Sequence, residues 1–354
     1  MKFAKDTRPD ASPMHAAEII AEALPWIKNV TGKTVVIKYG GSAMVDPALR
    51  AQVMSDIVLL KIIGLNPVIV HGGGKAISRA MKQLDLPVAF KDGMRITDDK
   101  AMRVVSTVLV GEVNQDLVRD INQHGNLAVG VSGSDAGTIV ARQLSEELGR
   151  VGAITAVHTE YIDDVIANDY IPVVAGIAMG EDGGSYNINA DVAAGEIAAA
   201  IGAQKIIFLT DVDGLYRDFE DKDSLISNLI VDEAKHMLET DQVSTGMIPK
   251  LTSCVRALDA GVQRAHIING TTPHALLLEL LTDSGVGTTM HATEESYQLD
   301  MYPLGRLASK LNENADPLES FHPSHQVSTD TAATSITHSK RHHSDDGSTF
   351  NKRK

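Results

Sequence analysis

Two segments of this chain run from a short apolar strand directly into consecutive glycines. They are residues 35–42 (VVIKYGGS) and residues 68–75 (VIVHGGGK), and a helical pattern follows the second. Glycines at a strand-to-helix turn let backbone N–H groups approach an anion closely, and the start of a helix adds a partial positive charge. Two such turns, with Lys38 beside the first, predict a site for a phosphoryl group in transfer rather than for a static ligand.

The composition excludes several classes of protein and site. The net charge of −14 argues against non-specific binding to nucleic acid. No apolar run reaches the roughly 18 residues of a membrane span, and the N-terminus lacks the pattern of a signal peptide. We therefore expect a cytoplasmic protein with no nucleic-acid or membrane partner. The single cysteine, Cys254, excludes an intrachain disulfide and a cysteine-cluster metal site.

Strand and helix patterns alternate along most of the chain. The alternation predicts an α/β fold, a three-layer αβα sandwich with a mainly parallel central sheet. The pattern resumes at residue 205, so we expect two lobes, with ligands beyond the carboxyl ends of the strands. The predicted strands are residues 34–39, 67–71, 127–131, 137–141, 171–175, 205–210 and 265–268. The predicted helices are residues 47–63, 75–84, 98–123, 159–168, 190–201, 232–240, 247–260 and 273–281.

The two ends of the chain differ from its middle. A helical pattern precedes the first strand, with Ser12 as its N-cap and Pro25 expected to kink it. This helix either packs on its own subunit or reaches another subunit. The end of the chain is polar, rich in serine, threonine and histidine, and is expected to be disordered. The predicted organisation is disorder at 1–11, an oligomerisation helix at 12–30, lobes at 31–204 and 205–290, and a disordered tail at 291–354.

Six short motifs occur in order along the predicted lobes. Neither glycine turn matches a Walker loop or the dinucleotide-binding glycine pattern. The motifs are residues 38–41 (KYGG), 71–74 (HGGG), 93–97 (GMRIT), 187–191 (NINAD), 210–216 (TDVDGLY) and 246–250 (GMIPK). Together they resemble the amino acid kinase family, and within it the members that phosphorylate N-acetyl-L-glutamate.

The resemblance implies a reaction. ATP would phosphorylate the side-chain carboxylate of N-acetyl-L-glutamate, which is the second step of arginine biosynthesis. A carboxylate is already ionised at pH 7, so catalysis reduces to positioning and to neutralising charge on the moving group. The first lobe would bind N-acetyl-L-glutamate and the second ATP. Mg²⁺ would be held chiefly by ATP oxygens and water, and we expect no metal site made by the protein itself.

The resemblance also assigns site residues. Lys38 and Lys250 would clamp the phosphoryl group from opposite sides, and Asp191 would hold both lysines in place. The acceptor-binding residues would be Gly73, Gly74, Arg95 and Asn187, with Arg95 forming a bidentate pair with the α-carboxylate. The phosphoryl- and ATP-binding residues would be Gly40, Gly41, Asp211, Val212, Asp213, Gly214, Leu215, Tyr216, Gln242, Val243 and Ser244.

Residues 266–288 are similar to the C-terminal signature of arginine-inhibited members of the family. Glu279 would then receive the cationic groups of L-arginine, while Gly285 and Gly287 leave room for its backbone. Those members also carry an N-terminal helix that links dimers. The resemblance therefore implies a homodimer and, beyond it, a hexamer built as a trimer of dimers.

Two other functions stay open at this point. A kinase for carrier-bound aminoadipate would catalyse the same reaction on a longer acid. A non-catalytic sensor of nucleotides or amino acids could share the fold, but it would be expected to have lost the lysines. Lys38, Lys250 and Asp191 are all present.

Overall fold

The computed structural model describes residues 13–296, apart from 219, 241, 245, 283 and 284. The predictions of disorder at 1–11, of Ser12 as a helix cap and of a tail from residue 297 onward lie outside this part. Within the described residues, no helix is long and apolar enough to cross a membrane.

Each predicted helix and strand corresponds to one or more elements of the structure, and the differences are described below. The strands are β1 (Thr34–Tyr39), β2 (Asn66–His71), β3 (Phe90–Lys91), β4 (Met94–Arg95), β5 (Ala128–Ser132), β6 (Ile139–Gln143), β7 (Gly152–Val157), β8 (Ile171–Ala175), β9 (Ile177–Gly180), β10 (Ser185–Asn187), β11 (Lys205–Thr210), β12 (Asn228–Ile230), β13 (Arg264–Asn269) and β14 (Thr288–His291). The α-helices are α1 (Pro13–Val30), α2 (Pro47–Ile62), α3 (Gly74–Gln83), α4 (Asp99–Ser106), α5 (Gln115–Asn122), α6 (Glu160–Ala167), α7 (Ala190–Ala200), α8 (Val231–Glu239), α9 (Ile248–Asp259) and α10 (Ala275–Leu281). A π-helix (Thr107–Asn114) joins α4 to α5, and 3-10 turns lie at Ser42–Met44, Asp135–Gly137 and Lys222–Ser224.

An eight-stranded sheet forms the middle layer, in the order β12-β14-β13-β11-β1-β2-β8-β5. Its neighbouring strands are parallel, except that β13 and β14 are antiparallel. The strands β1, β2, β8 and β11 are buried almost throughout, as expected for parallel strands covered on both faces.

Helices cover both faces of this sheet. Val36 of β1 belongs to a core that includes side chains of α6 to α9. Val35 and Ile37 point the other way, into a core shared with α2 to α5 and α10. Successive side chains of one strand thus contribute to two separate cores, because strand side chains alternate between faces. This arrangement confirms the three-layer αβα sandwich.

Three chain turns meet at one edge of the sheet. Tyr39, the last residue of β1, pairs in register with His71, the last residue of β2, so the two glycine turns leave the sheet side by side. Strand β11 pairs with the opposite side of β1 and ends at Thr210, so the loop that begins at Asp211 starts at the same edge. The sheet topology therefore positions the predicted phosphoryl-binding residues together.

Some elements differ from the sequence predictions. The predicted strand at 137–141 is β6, which lies in a separate four-stranded sheet of order β10-β9-β6-β7. The short strands β3, β4, β7, β9, β10, β12 and β14 were not predicted. Strand β14 ends at His291, one residue inside the predicted tail. Pro25 lies within α1, and both its kink and the division into two lobes remain predictions.

Candidate active site

Lys38, Asp191 and Lys250 come together although they lie far apart in the sequence. Lys38 Nζ is 2.8 Å from Asp191 Oδ1, and Lys250 Nζ is 3.1 Å from Asp191 Oδ2. The side chains of all three are largely buried, with exposed fractions of 11%, 8% and 16% for Lys38, Asp191 and Lys250. One carboxylate thus holds two ammonium groups, each by a different oxygen.

Local sequence explains how these side chains are presented. Asn189 caps α7, and its side-chain oxygen accepts hydrogen bonds from the N–H groups of Asp191 and Val192. The cap places Asp191 in the first turn, where the helix dipole favours a negative charge. Pro249 in the first turn of α9 favours a helix start there, which places Lys250 one residue later.

Asp191 is held in its ionised form. Burial by itself would raise the pKa of Asp191, but the two ammonium groups outweigh burial and lower the pKa below its usual value. Both carboxylate oxygens are engaged by lysines, so Asp191 is not available as a general base or a metal ligand. Two cations and one anion leave an excess positive charge that suits a phosphoryl group.

The first glycine turn lies against these charged groups. A side chain at position 40 would place its Cβ 2.9 Å from Lys38 Nζ. Gly41 has a φ of +76°, which an L side chain rarely adopts, and a Cβ there would lie 3.9 Å from the carboxylate carbon of Asp211. Position 40 therefore lies against the Lys38 ammonium group, and position 41 has a backbone conformation that favours glycine.

Arg95 is fixed against the start of helix α3. Its guanidinium donates to the Gly74 carbonyl at 2.9 Å and to Ser78 Oγ at 2.7 Å, and lies 4.7 Å from the centre of the Phe90 ring. These three residues line an open groove of about 850 Å³, and its remaining lining residues are Gly41, Lys75, Arg79, Lys82 and Gln83. The groove is rich in cationic side chains and suits an anionic ligand.

Asn187 is linked to Arg95 through Thr97. The Asn187 amide lies 3.5 Å from Thr97 Oγ1, and this hydroxyl donates to the Arg95 carbonyl at 2.8 Å. Sequence reasoning gave no role to Thr97 or to Ser78. The available signals were that Thr97 follows Arg95 by two residues and that Ser78 lies one helical turn after Gly74.

A second cavity, of about 240 Å³, lies beyond strand β11. It contains eight of the nine residues predicted for the nucleotide loops: Asp211, Val212, Gly214, Leu215, Tyr216, Gln242, Val243 and Ser244. Lys250 also lines it, together with Thr210, Arg217, Met237, Gly246 and Met247. Asp213 is absent from this lining, and its carboxylate accepts hydrogen bonds from Asn269 and from the Tyr216 hydroxyl, both at 2.8 Å.

The three residues predicted to bind arginine lie near the end of α10. Glu279 is buried, with Oε1 2.6 Å from His266 Nδ1 and Oε2 accepting from the Val286 N–H at 2.8 Å. Burial would raise the pKa of Glu279, but its hydrogen bonds and His266 lower it to about 2. A Cβ at Gly285 would lie 3.2 Å from Glu279 Oε2, and one at Gly287 would clash with the Ile267 carbonyl.

The acidic side chains near the glycine turns limit how a metal ion could be held. In the described part of the chain, no group of three or more His, Cys, Asp or Glu side chains could hold a metal ion. Asp211, beside Gly41, is a carboxylate at the edge where the glycine turns meet. Mg²⁺ keeps several waters and often takes only one or two carboxylates besides phosphate oxygens, so this donor set fits a Mg²⁺ carried by a nucleotide.

The chain is similar in sequence to known proteins. A sequence model of the amino acid kinase family matches residues 33–269. The chain is 51% identical over 274 residues to an acetylglutamate kinase of Caldanaerobacter subterraneus, covering 77% of this chain and 92% of that one. It is 48% identical over 280 residues to an acetylglutamate kinase of Nostoc sp., covering 79% and 94%.

Solved structures share the fold. An N-acetylglutamate synthase of Neisseria gonorrhoeae, complexed with coenzyme A and N-acetyl-glutamate, superposes with a TM-score of 0.69 at 21% identity, over 84% of this chain and 70% of that one. A protein of Streptococcus mutans superposes with a TM-score of 0.62 at 28% identity, over 73% and 99%.

Proposed function

This chain belongs to the amino acid kinase family, and we propose that it transfers a phosphoryl group to the side-chain carboxylate of N-acetyl-L-glutamate. The paired lysines and the glycine turns would bind the group during the transfer. ATP is the donor, N-acetyl-L-glutamyl 5-phosphate is the product, and the reaction is the second step of arginine biosynthesis. Relatives 46–51% identical over most of the chain support this acceptor. The observation that carries the proposal is the single buried carboxylate that holds Lys38 and Lys250 beside a glycine turn.

The chemical step follows from this charge distribution. An acceptor carboxylate oxygen attacks the γ-phosphorus of ATP, an oxygen–phosphorus bond forms, the bond to the β,γ-bridging oxygen breaks, and ADP leaves. No proton has to be removed from the acceptor, because the carboxylate is ionised at neutral pH. Lys38 and Lys250 neutralise the charge on the moving phosphoryl group, and Asp191 keeps both ammonium groups in place.

The proposed acceptor site lies at the start of α3, where Gly74 both lines the groove and accepts a hydrogen bond from Arg95. Arg95 binds the α-carboxylate of N-acetyl-L-glutamate, and Asn187 hydrogen-bonds the acetylated amino group. The N–H groups of Gly73 and Gly74 donate to anionic oxygens at the positive end of helix α3. Arg95 and Asn187 are already linked through the buried hydroxyl of Thr97, so little ordering is needed when the acceptor binds.

The cavity beyond β11 is the proposed nucleotide site. Among its lining residues, Val212, Gly214, Leu215, Tyr216 and residues 242–244 contact the adenosine part, while Gly40 and Gly41 lie toward the phosphates. Asp213 acts indirectly by holding Tyr216 and Asn269. When bound, Mg²⁺ offsets the negative charge of the phosphates, and Asp211 is the carboxylate that would face it.

Regulation by L-arginine and assembly into dimers and hexamers are further parts of the proposal. Glu279 is ionised and buried, as a receptor for a guanidinium should be, and its present partners are His266, the Val286 N–H and the Thr289 hydroxyl. Arginine would therefore have to displace His266 from one carboxylate oxygen or share the carboxylate with it. A cytoplasmic location stays a prediction from the sequence.

The proposal is tested by trapping the acyl phosphate. The full chain is incubated with MgATP and N-acetyl-L-glutamate in hydroxylamine, and the hydroxamate is measured alongside ADP release. We expect product that depends on both substrates, with glutamate as a poor acceptor because it lacks the acetyl group. Absence of turnover with measurable nucleotide binding would instead support a sensor, and turnover only with a carrier-bound aminoadipate would identify the other kinase.

A further inference from the structure

His71 is a buried side chain with a hydrogen-bond partner on each ring nitrogen. It is the last residue of β2 and is 1% exposed. Its Nδ1 lies 2.9 Å from the Gly72 carbonyl oxygen, and its Nε2 lies 3.1 Å from Nδ2 of Asn114. The mechanism above gives this imidazole no role, although it adjoins the second glycine turn.

The partners of His71 determine where its proton lies. Asn114 Nδ2 also donates to the Val173 carbonyl at 2.7 Å, which requires the amide nitrogen, not the oxygen, to point this way. Asn114 therefore donates to His71 Nε2, which must accept. The remaining nitrogen, Nδ1, then carries the proton and donates to the Gly72 carbonyl. A positively charged ring would place the Nε2 N–H against the N–H of the Asn114 amide, which is unfavourable. Burial also disfavours the charged ring and lowers the pKa of His71 to about 4, so the ring is neutral at pH 7.

The hydrogen bond to Gly72 fixes the next backbone N–H as well. In a trans peptide the carbonyl of one residue and the N–H of the next point in opposite directions. Since the Gly72 carbonyl points to the buried ring, the N–H of Gly73 points away from it, out of the core. Gly73 is partly exposed, and no acceptor for this N–H occurs among the described residues.

A π-helix supports this arrangement from behind. Asn114 is the last residue of the π-helical segment, which is eight residues long. Two further side chains of that segment, Leu109 and Val113, pack directly over Gly73, where a Cβ would lie 2.5 Å from Leu109 Cδ2. π-Helical turns are uncommon and occur frequently at functional sites. Here the segment holds both His71 and the backbone that His71 orients.

We propose that His71 is a positioning residue, which holds the Gly72 carbonyl so that the N–H of Gly73 donates to the anionic oxygens of the reacting groups. This inference rests on the phosphoryl transfer proposed above. Donors that are fixed before reaction stabilise developing charge without reorganisation, and the loss of one such donor costs about 10²-fold to 10³-fold in kcat. His71 itself touches no substrate.

A matched pair of variants separates hydrogen bonding from packing. In His71→Asn, the side-chain amide occupies the place of Nδ1 and can still donate to the Gly72 carbonyl. His71→Leu has nearly the same shape as His71→Asn but cannot donate, and both variants lose the contact with Asn114. We expect kcat to fall about 10²-fold in His71→Leu and no more than about 5-fold in His71→Asn, with the KM for ATP within about 2-fold of its original value in both.

Two controls accompany these measurements. His124→Asn, which alters an exposed histidine, should leave kcat unchanged. Circular dichroism and the melting temperature check that each variant is folded. Equal losses in His71→Leu and His71→Asn, or no loss in His71→Leu, would overturn the proposal, because the hydrogen bond to Gly72 would then be irrelevant to turnover.

A spectroscopic measurement tests the same arrangement and requires neither an activity assay nor a folded His71→Leu variant. In protein labelled with ¹⁵N-histidine, the ring of His71 should be neutral at pH 7 with its proton on Nδ1, the less common tautomer in solution. The signal is assigned by its loss in the His71→Asn spectrum. A proton on Nε2 would overturn the proposal. If the unsubstituted protein does not phosphorylate N-acetyl-L-glutamate but the proton is found on Nδ1, the proposed function is wrong. The hydrogen bond from His71 to the Gly72 carbonyl is still supported in that case.

Discussion

The ammonium group of Lys250 lies 3.1 Å from Oδ2 of Asp191 and so connects helices α9 and α7 across 59 positions of the sequence. Asp191 also holds Lys38 of β1 by its other oxygen. Strand β1 and helix α7 lie in the first predicted lobe, and helix α9 lies in the second. Because the carboxylate of Asp191 contacts both ammonium groups, it sets the distance between Lys38 and Lys250. A change at any of the three residues should therefore alter both the charge of the site and the arrangement of the elements around it.

Replacement of either lysine should slow phosphoryl transfer. We expect Lys38→Ala and Lys250→Ala each to lower kcat about 10²-fold or more, because each removes one donor that stabilises charge in a site largely closed to water. The hydroxamate assay measures the effect. Lys33→Ala, which changes an exposed lysine just before β1, serves as the control. Near-normal turnover in either of the first two variants would remove that lysine from its proposed role.

Asp191→Asn should lower both activity and stability. The amide is similar in shape but leaves two partly buried ammonium groups without their anion, and uncompensated buried charges of this kind cost about 3–5 kcal/mol. Urea denaturation compares the free energy of unfolding of Asp191→Asn, Lys38→Met and the double variant. We expect the double variant to lose less free energy of unfolding than the two single variants lose together. Additive losses would mean that the ion pair does not couple these residues.

The central strands could be predicted because burial on both faces produces continuous apolar runs, as in β1 and β11. The π-helix could not be predicted, since its side chains follow a helical pattern from residue 98 to 123 and nothing local marks the wider turn. The short strands of the second sheet also lack a pattern long enough to recognise. Their pairing depends on neighbours distant in the sequence.

Only part of the candidate site could be predicted from local sequence. The glycine turns were recognisable from local sequence, because strand and turn residues are adjacent. The meeting of Lys38, Asp191 and Lys250 followed only from the family resemblance, since nothing in the local sequence relates these three positions. The partnership of His71 with Asn114 joins residues 43 positions apart and had no sequence signal at all. Side-chain partners of this kind become visible only once the fold is known.

Arg95→Lys should mainly raise the KM for N-acetyl-L-glutamate. A lysine keeps the charge but cannot form the bidentate pair with the α-carboxylate, and the phosphoryl clamp is left intact. Ser78→Ala should raise the same KM by a smaller factor, because it removes only the hydroxyl that holds the guanidinium. Steady-state kinetics with each substrate varied in turn check both variants. A rise in the KM for ATP alone would assign Arg95 to the nucleotide side.

The stability of the protein should depend on pH through His71. Its pKa is about 4 in the folded protein, because burial lowers it more than the Gly72 carbonyl raises it, against roughly 6.5 in the unfolded chain. Above pH 6.5 the ring is neutral in both states. As the pH falls toward 4, the unfolded chain takes up the proton first, so the free energy of unfolding decreases by about 3 kcal/mol.

Urea denaturation between pH 4.5 and 7.5 tests this dependence. His71→Asn has no titratable ring, so its stability should change less over this range than that of the original protein. His266, a second buried histidine with a lowered pKa, is common to both proteins, so its effect cancels in the comparison. Parallel stability curves for the two proteins would show that His71 is not buried in its neutral form.

Helix α1 is expected to couple assembly to inhibition by arginine. It contacts α10, which carries Glu279, while Ile20 and Leu24 remain exposed by 69% and 65% in the single chain. Deletion of residues 1–30 should therefore reduce a hexamer to a dimer and weaken arginine inhibition, while activity without arginine survives.

A substitution that keeps the helix tests the arm more selectively than the deletion. Ile20→Glu combined with Leu24→Glu places two charges on the exposed apolar positions and should separate subunits without unfolding α1, whereas Glu22→Gln on the same helix should change neither property. Analytical ultracentrifugation paired with arginine titrations gives the answer, and the fluorescence of Trp26 reports the change on the helix itself. A full-length dimer, or a double variant that keeps its arginine sensitivity after dissociating, would exclude α1 as the connecting element.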